Sequence, residues 1–207
     1  MKKFIALVLA LLLSLSAALA EDAPRIGCSK NGELIISVSG NPTTGYAWWA
    51  ALLTDGVARL ENPDGDYVED PHEEGMVGVG GTYTFRLSPL AAGETLLHLK
   101  YFRSFERKTE MEKLFLILVD EEGNIQAQEL SEIAPLEALV TEVNEQERTA
   151  LVKDGEEQEI LVHFPGDMAL PAVDEQVRIF YNGVITMSLP GQISCMGWES
   201  VPTAEMR

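Results

Sequence analysis

The stretch NPTTGYAWW, residues 41–49, combines residue types that suit molecular recognition. Proline fixes its own φ at about −65° and pushes the preceding residue into an extended conformation, while glycine accepts a positive φ. The Asn-Pro pair and the later glycine therefore bracket a stiff turn. Thr43 and Thr44 between them are β-branched and have few rotamers. Such a loop loses little conformational freedom when a partner binds it, and we interpret it as a recognition tip.

Two predicted strands hold this loop in place. Glu33 to Ser39 alternates polar and apolar residues, which is typical of a half-buried strand. Tyr46 to Leu53 is apolar and aromatic and predicts a second strand, anchored in a core. A rigid loop between two strands is a common way for a binding protein to present its contact residues.

Motifs of catalysis are missing from the sequence, which contains neither Gly-x-Ser-x-Gly nor His-Glu-x-x-His. The histidines, His72, His98 and His163, are far apart in the chain. We therefore predict that the protein is not an enzyme and that it uses no cofactor and no catalytic metal.

The acidic segment of residues 61–75 resembles a calcium-binding loop in its spacing alone. Its oxygen-bearing residues fall at five of the expected positions: Asn62, Asp64, Asp66, Asp70 and Glu73. The glycine is misplaced and no helices flank the segment, so we favour a solvated acidic loop and leave calcium binding open.

The first twenty residues have the layout of a secretory signal. Lys2 and Lys3 precede an apolar segment, Phe4 to Ser16, and Ala18-Leu19-Ala20 provides small residues for cleavage. The apolar run is shorter than a membrane span. We predict a signal peptide at residues 1–20 and a secreted or extracytoplasmic mature protein that does not insert into the membrane after cleavage.

The charge of the chain restricts its partners. With 33 acidic and 15 basic residues, the formal net charge is −18, which would repel nucleic acid and anionic lipid. A neutral or basic protein partner is compatible, and we expect a monomer. The two cysteines, Cys28 and Cys195, would lie in an oxidising compartment that permits a disulfide, and the sequence leaves their pairing open.

The strand pattern predicts an all-β chain with two domains. Roughly seven short strands separated by turn signals describe a β-sandwich over residues 21–127. A glycine-rich stretch, residues 75–81, lies within it, and it does not resemble a phosphate-binding loop because a strand and not a helix follows. After a linker at residues 128–135, five short strands over residues 136–207 favour a small closed barrel, with the OB type as one form.

Three segments of the first domain together resemble the chagasin-like inhibitors of papain-type cysteine proteases. The first family motif, Asn-Pro-Thr-Thr-Gly-aromatic-x-Trp, is matched by Asn41, Pro42, Thr43, Thr44, Gly45, Tyr46 and Trp48. The second, Gly-x-Gly-Gly, is matched by Gly78, Val79, Gly80 and Gly81. The third is usually Arg-Pro-Trp and reads Arg103, Ser104 and Phe105 here.

The resemblance implies an immunoglobulin-like sandwich that presents these three loops at one end. It implies a secreted inhibitor that occludes the cleft of a papain-like cysteine protease, its partner, with the threonines entering near the catalytic thiolate. The resemblance covers residues 28 to 120 and leaves the second domain unassigned. The alternative is an extracellular immunoglobulin-like adhesion or binding module that inhibits nothing.

Overall fold

The computed structural model describes residues 23–29, 31–106, 109–130, 135–166 and 168–201. The predicted signal peptide and part of the predicted linker lie outside these residues. Among these residues the regular structure consists of fourteen strands and one short 3-10 turn, and no helix there is long and apolar enough to cross a membrane.

Nine strands form a β-sandwich of two sheets. In chain order they are β1 (Arg25–Cys28), β2 (Leu34–Gly40), β3 (Tyr46–Leu52), β4 (Ala58–Leu60), β5 (Asp66–Glu69), β6 (Gly81–Pro89), β7 (Gly93–Arg103), β8 (Thr109–Val119) and β9 (Ile125–Glu129). One sheet has the order β1-β2-β6-β4, with β5 also paired to β6, and the other has the order β3-β7-β8-β9. All pairings within the two sheets are antiparallel.

The core of the sandwich follows from the alternation along its strands. In β2 the buried side chains are Leu34, Ile36 and Val38, which face the core at every second position. They pack with residues of the opposite sheet such as Trp48 and Phe115 in one apolar cluster. The predicted sandwich is confirmed.

Three strands of the sandwich were not predicted. β1 is entirely exposed and has no alternation to reveal it, and β9 is short and half polar. β5 lies inside the acidic segment, where Asp66 pairs with Arg86 of the neighbouring strand. The connection from β7 to β8 is short, because β7 ends at Arg103 and β8 begins at Thr109.

The acidic segment contains hydrogen bonds among its own residues. Asn62 donates to Asp66 over 3.2 Å and accepts from the backbone N–H of Asp64 over 3.1 Å. Within the described part of the chain, no group of three or more His, Cys, Asp or Glu side chains is placed to hold a metal ion.

The remaining five strands close into a barrel. They are β10 (Leu136–Asn144), β11 (Thr149–Asp154), β12 (Glu159–His163), β13 (Gln176–Tyr181) and β14 (Gly191–Ser200). The order around the barrel is β10-β11-β12-β14-β13, and only the β12–β14 pairing is parallel. Counted from one to five, the strand order is 1-2-3-5-4, and the predicted small closed barrel is confirmed.

The possible disulfide between Cys28 and Cys195 is not formed. Cys28 is exposed on the edge strand β1, whereas Cys195 is buried in the barrel core, where its Sγ lies 3.6 Å from Met168 Sδ. Burial raises the pKa of the Cys195 thiol to about 12, so it remains protonated at neutral pH. Cys28 lies on the surface of the sandwich beside the Ile125 carbonyl, whereas Cys195 lies in the barrel core, so both thiols are free.

The barrel packs on the outer face of the sheet that contains β7 and β8. A small apolar cluster joins Leu96 and Leu114 of the sandwich to Phe180 of the barrel, and all three are buried. Gly197 of β14 lies so close to Leu53 and Leu96 that an added Cβ would be 3.0 Å from Leu53. The predicted boundary between the domains is thus crossed by a packed contact.

Charged residues surround this apolar contact. Lys100 donates to Glu199 over 2.7 Å, and Arg178 donates to Glu112 over 2.8 Å, so each pair joins the sandwich to the barrel. His98, whose side chain is 1% exposed, lies between the two carboxylates, 3.2 Å from Glu112 through Nε2 and 3.5 Å from Glu199 through Nδ1. Nδ1 is buried and its geometry toward Glu199 is not that of a hydrogen bond, so this contact is an electrostatic attraction.

The charged groups of this cluster shift the pKa values of His98, Glu112 and Glu199 away from their ordinary values. Burial lowers the pKa of His98, but the two neighbouring carboxylates outweigh it and raise the pKa above its ordinary value. The hydrogen bond from His98 lowers the pKa of Glu112 to about 2. Burial raises the pKa of Glu199, but His98 and Lys100 outweigh burial and lower this pKa to about 2 as well.

We expect the stability of the chain to depend on pH through His98. Because its pKa is raised in the folded state, the protonated imidazole stabilises the fold below the unfolded pKa of about 6.5, and this contribution is lost as the pH rises through the folded pKa. Thermal unfolding of the wild type and of His98→Gln at about pH 5.5 and about pH 8.5 measures the effect. The difference in Tm between the two proteins should be larger at the lower pH.

His163→Gln, which removes an exposed histidine outside the junction, is the matched control variant. A His98→Gln effect that is constant with pH, or larger at high pH, would show that the imidazole is neutral at the junction.

Candidate functional site

Three loops lie at one end of the sandwich because of the strand register. The tip loop, residues 41–45, enters β3, and Tyr46 at its start pairs with Arg103 at the end of β7. The arginine loop, residues 103–106, therefore begins beside it. The glycine loop, residues 75–81, leads into β6, where Gly81 pairs with Gly40 just before the tip loop. Three segments that are far apart in the sequence thus lie at the same end of the sandwich.

The tip loop folds as a single turn of 3-10 helix, Pro42–Thr44. Asn41 is extended and caps the turn, since its Oδ1 accepts from the backbone N–H of Thr43 over 3.1 Å. Pro42 occupies the first helical position, where the missing N–H is not needed. Gly45 ends the turn with φ 84°, a left-handed value that favours glycine. The bracketing role predicted for these residues matches this geometry.

The threonine hydroxyls reinforce the turn. Thr43 Oγ1 donates to Asn41 Oδ1 over 2.6 Å, and Thr44 Oγ1 donates to the Asn41 carbonyl over 2.6 Å. Thr43, Thr44 and Gly45 are nevertheless exposed. The tip is therefore both accessible and fixed in shape by its own hydrogen bonds.

Asn41 also connects the tip loop to the glycine loop. Its Nδ2 donates to the carbonyl of Gly78 over 2.8 Å, while its backbone N–H donates to the Tyr101 hydroxyl over 2.9 Å. Gly78 has φ 78°, so a residue with a side chain would be strained there. A single asparagine side chain thus shapes one loop and holds a second.

Arg103 connects the tip loop to the arginine loop. Its Nε donates to the carbonyl of Thr44 over 3.2 Å, and its guanidinium lies 4.3 Å from the centre of the Tyr46 ring. It also forms an ion pair with Glu106 over 2.8 Å. Much of the hydrogen-bonding capacity of Arg103 is therefore used to organise the loops.

Aromatic rings support the base of the tip loop. The Tyr101 ring stacks on Tyr46 at 5.2 Å between centroids and contacts Trp48 at 5.0 Å. Trp48 is 2% exposed, and its Nε1 donates to the carbonyl of Ser39 over 2.8 Å. The contact between Tyr101 and Asn41 joins residues 60 positions apart, and the sequence contains no sign of it.

The structure separates the predicted site residues into two groups. Trp48 and Gly81 are buried, so they hold the loops and do not form part of the exposed surface. A Cβ added to Gly81 would lie 2.3 Å from the carbonyl oxygen of Val68, which explains a glycine there through the close approach of β5. The other predicted residues line the loop end: Asn41, Pro42, Thr43, Thr44, Gly45, Tyr46, Gly78, Val79, Gly80, Arg103, Ser104 and Phe105.

The structure adds two exposed apolar residues to this surface. Val77 is 92% exposed and Met76 is 55% exposed, and both belong to the glycine loop. On the arginine loop, Phe105 is 75% exposed. An apolar side chain thus stands on each of the two loops that flank the threonine tip, and an excess of apolar residues before Gly78 was the available signal in the sequence.

We expect Asn41 to be the most informative residue for loop geometry. Asn41→Asp keeps the oxygen that caps the turn but loses the Nδ2 donor to Gly78, whereas Asn41→Ala loses both. If loop connection governs binding, Asn41→Asp should weaken binding to the target about tenfold, and Asn41→Ala should weaken it further. Loss of the cap in Asn41→Ala should also lower the free energy of unfolding by about 1 kcal/mol.

Inhibition constants and urea denaturation of both variants check this expectation. Equal inhibition by Asn41→Asp and the wild type would show that the bond to Gly78 does not hold the loops for binding.

Comparison with known proteins agrees with the loop geometry. The sequence profile of the chagasin family of peptidase inhibitors, I42, matches residues 28–119. Amoebiasin-2 of Entamoeba histolytica is 34% identical over 90 residues, covering 44% of this chain and 71% of its own length. Chagasin of Trypanosoma cruzi is 36% identical over 76 residues, covering 35% of this chain and 66% of its own length.

A solved structure is also similar in sequence. The crystal structure of a cysteine protease inhibitor from Entamoeba histolytica is 30% identical, covering 41% of this chain and 75% of that chain, with a TM-score of 0.35. The family profile matches residues of the sandwich and ends before the barrel. From the matched residues and the extent to which amoebiasin-2 is covered, we conclude that the chain belongs to the chagasin family of peptidase inhibitors.

Proposed function

We propose that this chain inhibits papain-like cysteine proteases by placing the tip loop in the active-site cleft, with the glycine loop and the arginine loop on either side. The observation that carries the proposal is the joining of all three loops through Asn41 and Arg103. Loops that are joined before binding lose little conformational freedom when they meet the protease.

The conformation of the tip explains why the inhibitor would resist cleavage. Pro42–Thr44 form a 3-10 turn and not an extended strand. A peptide bond is cleaved only when its carbonyl is held in line with the nucleophile, and the tight turn keeps the tip carbonyls away from that arrangement. The tip would therefore occupy the cleft as a plug that the protease does not process.

The composition of the loop end suits a protease cleft. Thr43 and Thr44 offer small side chains for a narrow centre, while Val77 and Phe105 offer apolar area at the flanks. Most binding energy at protein interfaces comes from a few well-packed central residues, so the threonine tip should contribute more than the rim.

Titration of the purified mature chain against papain tests the proposal. We expect reversible inhibition with a measurable inhibition constant and no cleavage of the chain between Asn41 and Tyr46 on prolonged incubation. A folded chain that inhibits neither papain nor a cathepsin would favour the alternative, a binding module without inhibitory activity.

Export from the cytoplasm is part of the proposal and rests on the signal-like first twenty residues. N-terminal sequencing of the protein recovered outside the cytoplasmic membrane should give a start near Glu21. Recovery of the full chain inside the cytoplasm would refute this part.

The arginine loop allows a gain-of-affinity test. Glu106 N–H donates to the Arg103 carbonyl over 3.0 Å, so residues 103–106 form a β-turn with Ser104 at the second position, where proline is favoured. Ser104→Pro should pre-order the turn, and Phe105→Trp should add apolar area and an N–H donor. We expect the double variant to bind papain about tenfold more tightly, chiefly through slower dissociation.

Association and dissociation rates measured by surface plasmon resonance check this expectation. A folded double variant that binds equally or more weakly would show that the arginine loop does not touch the protease.

A further inference from the structure

The barrel carries a loop whose chemistry is unlike that of the rest of the molecule. We call residues 182–190, between β13 and β14, the apolar loop. It lies within a run of twenty residues, Ile179 to Trp198, that contains no Asp, Glu, Lys or Arg, in a chain where such residues make up 23%. Neither a cationic nor an anionic partner would recognise this run by charge.

The largest side chains of the apolar loop face solvent. Met187 is 103% exposed and Leu189 is 100% exposed, while Val184 is 63% exposed. Within the described part of the chain Met187 and Leu189 are thus uncovered, and with Val184 they make the exposed side of this loop predominantly apolar. Full exposure of two large apolar residues is unfavourable in water, and clusters of this kind mark interaction sites.

The polar side chains of the loop are turned toward the loop itself. Asn182 Oδ1 accepts from the backbone N–H of Val184 over 3.1 Å, and the Ser188 hydroxyl donates to the Pro190 carbonyl over 2.8 Å. The Thr186 and Ser188 hydroxyls lie 2.7 Å apart. These side-chain groups keep their hydrogen-bond partners when the tip leaves bulk water.

This pattern favours a lipid surface over a protein partner. A specific protein interface carries about one hydrogen bond per 100–200 Å², and the polar side chains of this loop already bond within it. The interfacial region of a bilayer, where water and headgroups still reach the loop backbone, demands no such bonds and accepts a convex apolar tip. The net charge of −18 would repel an anionic bilayer, so the surface that fits has little net charge.

We propose that the apolar loop docks reversibly on a zwitterionic lipid surface through Met187 and Leu189. The site lies away from the protease-binding loops. Gly197 of β14 packs on Leu96 and Glu199 bonds to Lys100, so β14 runs in the same direction as β7, and its first residue, Gly191, is on the side farthest from Arg103. Lipid and protease can therefore be bound together.

Flotation of the mature chain with phosphatidylcholine vesicles tests the proposal. At about 5 mM lipid we expect a measurable bound fraction, as for other weak single anchors. The variant Met187→Asp with Leu189→Asp should lower the partition coefficient at least about tenfold. Mixing an anionic lipid into the vesicles should weaken binding of the wild type at low salt.

A matched control separates apolar contact from charge. Leu90→Asp with Val173→Asp adds the same two charges at apolar residues that are 55% and 51% exposed elsewhere, and it should bind vesicles nearly as well as the wild type. Equal loss in both double variants, unchanged binding by the Met187/Leu189 variant, or no binding of the wild type at about 5 mM lipid would each overturn the proposal.

Self-association is the competing outcome. If sedimentation velocity shows that the wild type dimerises and that Met187→Asp with Leu189→Asp abolishes the dimer, a second copy covers the loop and the lipid proposal is wrong. Inhibition of papain by this variant should equal that of the wild type. The flotation assay and the inhibition assay therefore test the lipid proposal and the proposed function separately.

Discussion

Thr43→Arg is expected to weaken inhibition of a papain-like protease by roughly 100-fold or more while the chain stays folded. Thr43 lies at the exposed centre of the tip loop, so an arginine would meet steric overlap in the cleft and bring an unpaired charge into it. The substitution removes one side-chain hydrogen bond to Asn41 but leaves the backbone cap intact, so stability should change little. Inhibition constants and thermal unfolding measure the two effects.

Val173→Arg provides the charge-matched control for this prediction, because Val173 is an exposed barrel residue outside the three loops. If Thr43→Arg inhibits as well as the wild type and Val173→Arg, the tip loop does not enter the cleft and the proposed mode of inhibition must be abandoned.

Trp48→Ala is expected to lower the free energy of unfolding by about 3–5 kcal/mol, the largest stability change we anticipate for a single residue. Trp48 fills the core between the two sheets, and its Nε1 supports the carbonyl of Ser39 just before the tip loop. Its loss would leave both a cavity and a carbonyl without this donor, so binding should fall together with stability. Urea denaturation gives the free energy directly.

The adjacent Trp49→Ala is the matched control, since Trp49 points to the other face of β3 and is 39% exposed. Equal losses for the two variants would mean that the core position of Trp48 is not what stabilises the sandwich.

The sequence was sufficient for the local features of the site. Proline and glycine have strong backbone preferences, so Pro42 and Gly45 specified the tight turn without knowledge of any other segment. Alternation along Glu33 to Ser39 likewise predicted a half-buried strand, and β2 has this burial pattern. The prediction that the chain is not an enzyme is confirmed by its membership of an inhibitor family. The residues that contact a protease remain a prediction.

Contacts between distant segments could not be predicted. The bond from Asn41 to Gly78 joins residues 37 positions apart, and the ion pair between Lys100 and Glu199 joins residues 99 apart. No local preference of either residue indicates such a partner, because the partner is set by how the sheets stack. The same limit applies to Cys28 and Cys195, whose pairing depended on a distance that the sequence does not contain.

The apolar junction between sandwich and barrel has a consequence for truncation. Leu96 and Leu114 lie on the outer face of a sheet within the residues that the family profile matches, and Phe180 of the barrel covers them. A chain that ended before the barrel would expose these leucines as an adhesive apolar patch, prone to aggregate. The sandwich of this chain therefore depends on the barrel for solubility, and an isolated sandwich would need polar replacements at these two leucines.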